Sequence, residues 1–220
     1  MRKIWWATAP LAAGLMLAAS SQPYFSLYRP WALTKEHVVA AEGGHFSLPV
    51  GEWGLQDTQA TTDLAHEAEI KILGFQEIVH NEQIGIYPPD GFTTWLVLME
   101  WNAPSDSLLS RCGMWFTGSD GKDYPRSDFV FSSDVDENLQ ARESCTPPRA
   151  GGPKQDWDTG EVTTEEPRPE QWRKLAPIAM PNGVRPTELH FLWLKPHYVT
   201  IVLPEPAEFI DESSDGAAGE

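Results

Sequence analysis

The sequence predicts an all-β domain, an antiparallel sandwich preceded by one hydrophobic N-terminal helix. Three observations predict it. About seven short segments alternate apolar and polar side chains at the two-residue period of a strand, with turn residues between them. One uncharged run, Ile4 to Ala19, stands directly after Arg2 and Lys3. Two cysteines, Cys112 and Cys145, lie 33 positions apart within the alternating region.

The first element is the uncharged run, which with Arg2, Lys3 and the following Ser20 to Pro23 reads as an export signal. Its 16 residues fall between a signal-peptide core of about 7–15 and a spanning helix of about 17–25. Ala18, Ala19, Ser20 and Ser21 offer a cleavage site. Trp5, Trp6, Tyr24, Tyr28 and Trp31 sit at the two ends, where an interfacial belt would place them. They weigh toward an uncleaved anchor over residues 1–22. The two basic residues keep the N-terminus cytoplasmic and send the rest outside. The expected location is the cell membrane, single-pass, or a secreted form if the run is cleaved. No cysteine follows the run, which excludes a bacterial lipoprotein anchor. In that oxidising compartment Cys112 and Cys145 are expected to form one disulfide, with two buried thiols as the alternative. No C-x-x-C or Cys/His spacing makes them a metal site.

Residues 23–61 read as a juxtamembrane connector and a first strand, His45 to Val50. Leu64 to Val79 fits a helical face as well as a strand, and its neighbours settle it toward strand. Phe92 to Trp101 is apolar on both faces, as a central strand is. Leu109 to Thr117 puts Cys112, Met114 and Phe116 on one side. Ser119-Asp120-Gly121-Lys122 then turns the chain into a hairpin that returns from Tyr124. Phe129 to Phe131 gives a short strand, and residues 132–171 a long acidic loop carrying Cys145. Trp172 to Met180, Glu188 to Leu194 and Tyr198 to Leu203 are three closing strands. Residues 205–220, with six acidic and no basic side chains, are expected to be a disordered tail.

Three stretches carry a family resemblance: Trp95-Leu-Val-Leu-Met-Glu-Trp-Asn, the block from Cys112 to Tyr124, and Pro181-Asn-Gly-Val-Arg-Pro-Thr-Glu-Leu-His-Phe. Together, over residues 62–204, they resemble the immunoglobulin-like extracytoplasmic domain of unknown function found in secreted and membrane-anchored proteins of Gram-positive bacteria. The signal and the connector Tyr28-Arg29-Pro30-Trp31 resemble those of actinobacterial single-pass envelope proteins. The resemblance implies an immunoglobulin-like sandwich and no catalytic residues. The acidic loop and the acidic tail depart from it.

Composition narrows function by exclusion. With 16 basic against 32 acidic residues and a net charge of −16, the chain repels phosphate backbones and anionic headgroups, which excludes nucleic acid and polybasic membrane docking. There is no G-x-S-x-G, H-E-x-x-H, phosphate-binding loop or G-x-G-x-x-G, so no enzyme and no cofactor are expected. Glu188 and His190 share one face of a strand and could pair or bind a metal. Asp156, Asp158 and Glu161, like Asp134 to Asn138, alternate oxygen ligands as calcium loops do, without the spacing of a full twelve-residue site. Of the 10 tryptophans, Trp95, Trp101, Trp115 and Trp193 are assigned to the core. Trp53, Trp157 and Trp172, in or beside loops, are candidates for a binding surface.

The leading expectation is a non-catalytic binding or scaffold domain whose partner is an envelope or membrane protein. The alternative is a secreted cell-wall carbohydrate-binding module using the loop tryptophans. A hydrolase assembled from His190, Glu188 and Asp156 stands third.

Overall fold

The computed structural model describes residues 32–48, 65–78, 88–125, 145–147, 150–156, 159, 161–193 and 195–206. The N-terminal helix, the strand at Phe129 to Phe131, Trp53, Trp157, Asp158 and the tail beyond Pro206 lie outside the described residues. Among the described residues every regular element is a strand, and no helix is long and apolar enough to cross a membrane.

The strands are β1 (Lys35–Val39), β2 (Gly44–Leu48), β3 (His66–Ile78), β4 (Phe92–Asn102), β5 (Gly113–Gly118), β6 (Asp123–Pro125), β7 (Lys154–Gln155), β8 (Val162–Thr163), β9 (Gln171–Pro181), β10 (Pro186–Leu192) and β11 (His197–Val202). They form a five-stranded sheet ordered β1-β11-β10-β5-β6 and a four-stranded sheet ordered β2-β3-β4-β9. All their pairings are antiparallel except β1 with β11. One apolar core joins the inner faces of the two sheets, including Phe116, Phe191 and Ile201 from the first and Phe46, Val97 and Ile178 from the second. The sandwich predicted from alternation is therefore present.

Trp101 and Trp172 stand at its centre. They are register partners on β4 and β9 with stacked rings 5.8 Å apart, and Phe191 of the opposite sheet meets Trp101 edge-on at 5.1 Å. Trp172 is thus a buried strand residue, which corrects its assignment to an exposed loop surface. The acidic run before it ends at Glu170, and cross-strand pairing turns the indole inward. Trp95 and Trp101 are buried as expected, whereas Trp115 and Trp193 are half-buried.

The hairpin turn forms where Asp120-Gly121 placed it. Gly121 takes a φ of 75°, the left-handed region that glycine adopts without a Cβ clash. The Asp120 carboxylate accepts from the Lys122 amide at 3.2 Å and the Tyr124 hydroxyl at 2.9 Å. The acidic loop holds the short β7–β8 ladder, which the sequence had not separated from loop.

Cys112 and Cys145 form the disulfide, Cα atoms 6.0 Å apart. It fixes the segment 145–147, whose carbonyls receive two buried donors from β9: the Trp172 indole on Cys145 at 3.2 Å and the Lys174 ammonium on Thr146 at 2.9 Å. Arg168 lies over the Trp172 ring at 4.5 Å and donates to the Pro104 and Ser107 carbonyls. Burial pushes its guanidinium down to about 10.

Candidate functional site

Strand β1 was not anticipated, and it completes the outer face of the five-stranded sheet. Cross-strand hydrogen bonds, some of them diagonal, link one side chain from each of the five strands of that face into a row. Thr200 of β11 donates to Glu36 of β1 at 2.6 Å, and Thr117 of β5 donates to Asp123 of β6 at 2.8 Å. Between them His190 of β10 reaches Thr200 through Nδ1 at 3.0 Å and Thr117 through Nε2 at 2.9 Å. His190 and Thr200 are buried; the two carboxylates at the ends of the row are exposed.

Aromatic rings cover the middle of this row. Trp115 stacks on the imidazole at 4.7 Å and 14°, and Tyr198 lies 5.9 Å from Trp115. Glu188, the residue the sequence paired with His190, sits on the same strand face with a carboxylate oxygen 3.4 Å from Nε2. Two exposed valines share the face, Val38 opposite Thr200 and Val202 opposite Glu188, at 67% and 55% exposure. The solvent side of an antiparallel sheet is ordinarily polar, so this face is unusually aromatic and apolar.

Burial lowers the His190 imidazole below the usual histidine value, against the opposite pull of Glu188, Asp123 and Glu36. Tyr198 is raised by burial and then by Glu36, Glu188 and Asp123, whose charges disfavour a phenolate. Two further histidines are lowered, chiefly by burial: His66, whose Nδ1 donates to the Leu108 carbonyl, and His37, which lies 2.8 Å from His197 across the β1–β11 junction. A folded value below the unfolded one means that the unfolded chain binds protons first as pH falls. Stability should therefore be full above about pH 7 and decline as pH drops through the unfolded value near 6.5. Urea unfolding at stepped pH should show this decline, weaker in His66→Gln; a flat profile from about pH 7.5 to 5 would contradict it.

The other described candidates, Asp156 and Glu161, lie at the β7–β8 turn. Asp156 accepts from the amide and hydroxyl of Thr159 at 2.8 and 3.1 Å, which makes it the capping residue of the β7–β8 turn. That turn belongs to a separate ladder from the sheet that carries His190 and Glu188. Glu161 is exposed beyond the same turn, with its carbonyl accepting from the Asp156 amide at 2.8 Å. Among the described residues no group of three or more His, Cys, Asp or Glu side chains could hold a metal ion. Glu36, Thr117, Asp123, Thr200 and Tyr198 were not singled out from the sequence, and only strand register brings them to His190. No protein-family profile, curated protein or solved structure matches this chain.

Proposed function

We propose that this chain is a membrane-anchored, extracytoplasmic domain of the bacterial envelope that acts by binding another envelope or membrane protein, without catalysis. The observation that carries the reading is the outer face of the five-stranded sheet. Rings from two strands lie beside exposed valines and ionisable rims on a rigid platform, the composition of a binding surface rather than of a solvated one. The immunoglobulin-like reading is supported by connectivity. Strands β4 and β9 are neighbours in one sheet, β5 and β10 in the other, and the chain crosses between sheets from β4 to β5 and from β9 to β10. These neighbours correspond to the B–E and C–F pairs of an immunoglobulin sandwich, with β11 next to β10 as strand G. The anchor reading rests on Arg2, Lys3 and the uncharged run that follows. The glycan alternative loses Trp172, which is buried.

A photo-crosslinking side chain placed at Val38 or Val202 of the full chain should yield one adduct in intact cells. The same group at Leu73, exposed on the four-stranded sheet, should not. Equal labelling from the two sheets, or none from either valine, would overturn the proposal.

A further inference from the structure

We infer that the ligand of this face is a cationic segment of polypeptide, lysine or arginine side chains on an extended strand or loop, and that protonation of His190 releases it. The inference rests on the binding reading above and names the chemistry of the partner.

Charge complementarity identifies the ligand. Elsewhere on the surface three carboxylates have a cationic neighbour, Asp120 with Lys122 at 3.0 Å, Glu100 with Arg173 at 3.5 Å and Glu205 with Arg185 at 2.5 Å, while others such as Glu77 and Glu170 have none among the described residues; what distinguishes this face is that three carboxylates cluster about its rings. Glu36, Glu188 and Asp123 have no lysine or arginine partner among the described residues; their contacts are the two threonine hydroxyls and His190. Three carboxylates thus surround the half-buried faces of Trp115 and Tyr198. Aromatic faces attract ammonium and guanidinium groups, and do so more strongly when the cation is partly desolvated. Arginine in particular combines stacking on a ring with bidentate hydrogen bonding to a carboxylate. Val38 and Val202 supply apolar contact for the side-chain stems. An anionic lipid or nucleic acid is repelled by the same charges.

Proton counting supplies the release. A threonine hydroxyl has one proton, and in this row the two threonines give theirs to Glu36 and Asp123. Their oxygens can then only accept from His190, so with both carboxylates held the row needs N–H on both ring nitrogens, the imidazolium. Neutral His190 has one N–H. One threonine must turn its hydroxyl to the bare nitrogen, which frees the carboxylate it had held. At neutral pH the face therefore offers a freed carboxylate and no positive charge at its centre. When His190 takes a proton, both carboxylates are bound by hydroxyls and a cation lies beneath Trp115. The groups that face His190 are Glu36 from β1, Tyr198 from β11, Glu188 from its own strand and Asp123 from β6; β5 presents Trp115 and Thr117, which do not titrate here.

The test uses the full chain in nanodiscs and the hexapeptide Arg-Ser-Arg-Ser-Arg-Ser, with Asp-Ser-Asp-Ser-Asp-Ser as control, titrated calorimetrically at about pH 7.5 and about pH 5. The arginine peptide should bind at the higher pH and weaken by about tenfold at the lower; the aspartate peptide should not bind. Glu36→Gln with Glu188→Gln should abolish binding, and His190→Gln should bind equally at the two pH values. Should His190→Gln fail to fold, Thr117→Val and Thr200→Val, which keep the imidazole and remove its hydroxyl links, should each blunt the pH response. Unchanged affinity in the double glutamine variant would overturn the site, and an undiminished pH response in His190→Gln would overturn the release. If the peptide does not bind while photo-adducts still form from Val38 and Val202, the cationic class falls and the binding reading stands. If both fail, both fall.

Discussion

Replacing Cys112 and Cys145 by alanine should lower the free energy of unfolding by about 4 kcal/mol, the entropy of closing a loop of this size in the unfolded chain. The bond spans 33 positions, from the start of β5 to the segment whose carbonyls receive the buried donors of Trp172 and Lys174. Without it the segment is held by non-covalent contacts, these two hydrogen bonds among them. Segment opening would then take the carbonyl acceptor from the buried Trp172 indole N–H and one acceptor from the buried Lys174 ammonium, a costly loss in a dry interior. Urea unfolding with and without reductant, in the native chain and in the double variant, measures the effect. Reductant should bring the native chain close to the variant and leave the variant unchanged. A loss below about 1 kcal/mol would show that the core alone fixes the segment.

Trp101→Ala should cost as much, about 3–5 kcal/mol, the range for removing a fully buried aromatic ring. Trp101 is the place where the sheets meet: its ring stacks on Trp172 of its own sheet and takes the edge of Phe191 from the other. Its indole N–H is also buried without a hydrogen-bond partner. A phenylalanine there would retain much of the ring contact and remove the unsatisfied donor, so the two losses should separate sharply. Trp101→Phe is expected to cost less than about 1.5 kcal/mol, because the smaller cavity is partly offset by release of that donor. Chemical denaturation of the two variants decides it; similar costs would mean that the indole N–H has a partner in solution.

What was legible in the sequence was local. The alternation from Phe92 to Trp101, the Asp120-Gly121 turn and the closing strands each depend on neighbouring residues, and each forms within a few positions of its expected bounds. The pairing of Glu188 with His190 was legible for the same reason, since residues two apart on a strand share a face. What was missed depended on register. Strand β1 buries only Val39 fully and is held by a parallel partner some 160 positions later. Its alternation is weak because its outer side chains belong to the face itself. Trp172 follows an acidic run and reads as a loop residue until Trp101 is known to lie opposite. The row from Glu36 to Asp123 draws one residue from each of five strands, and no spacing along the chain encodes it.

The parallel pairing of β1 with β11 has a mechanical consequence. Chain entering at Thr34 runs along the edge of the sheet in the same direction as the strand beside it, with Thr34 and Lys35 amides bonded to the Pro196 carbonyl at 3.2 and 3.1 Å. A pull on the chain ahead of Thr34, directed along the strand axis, would load the rungs of that ladder together in shear instead of opening them one after another. Tension arriving from the N-terminal side would thus meet a clamp at the border of the same sheet that bears the aromatic face. Force at which β1 detaches, read in a single-molecule pull from the N-terminus, should exceed that needed to peel the antiparallel edge strand β2 from β3.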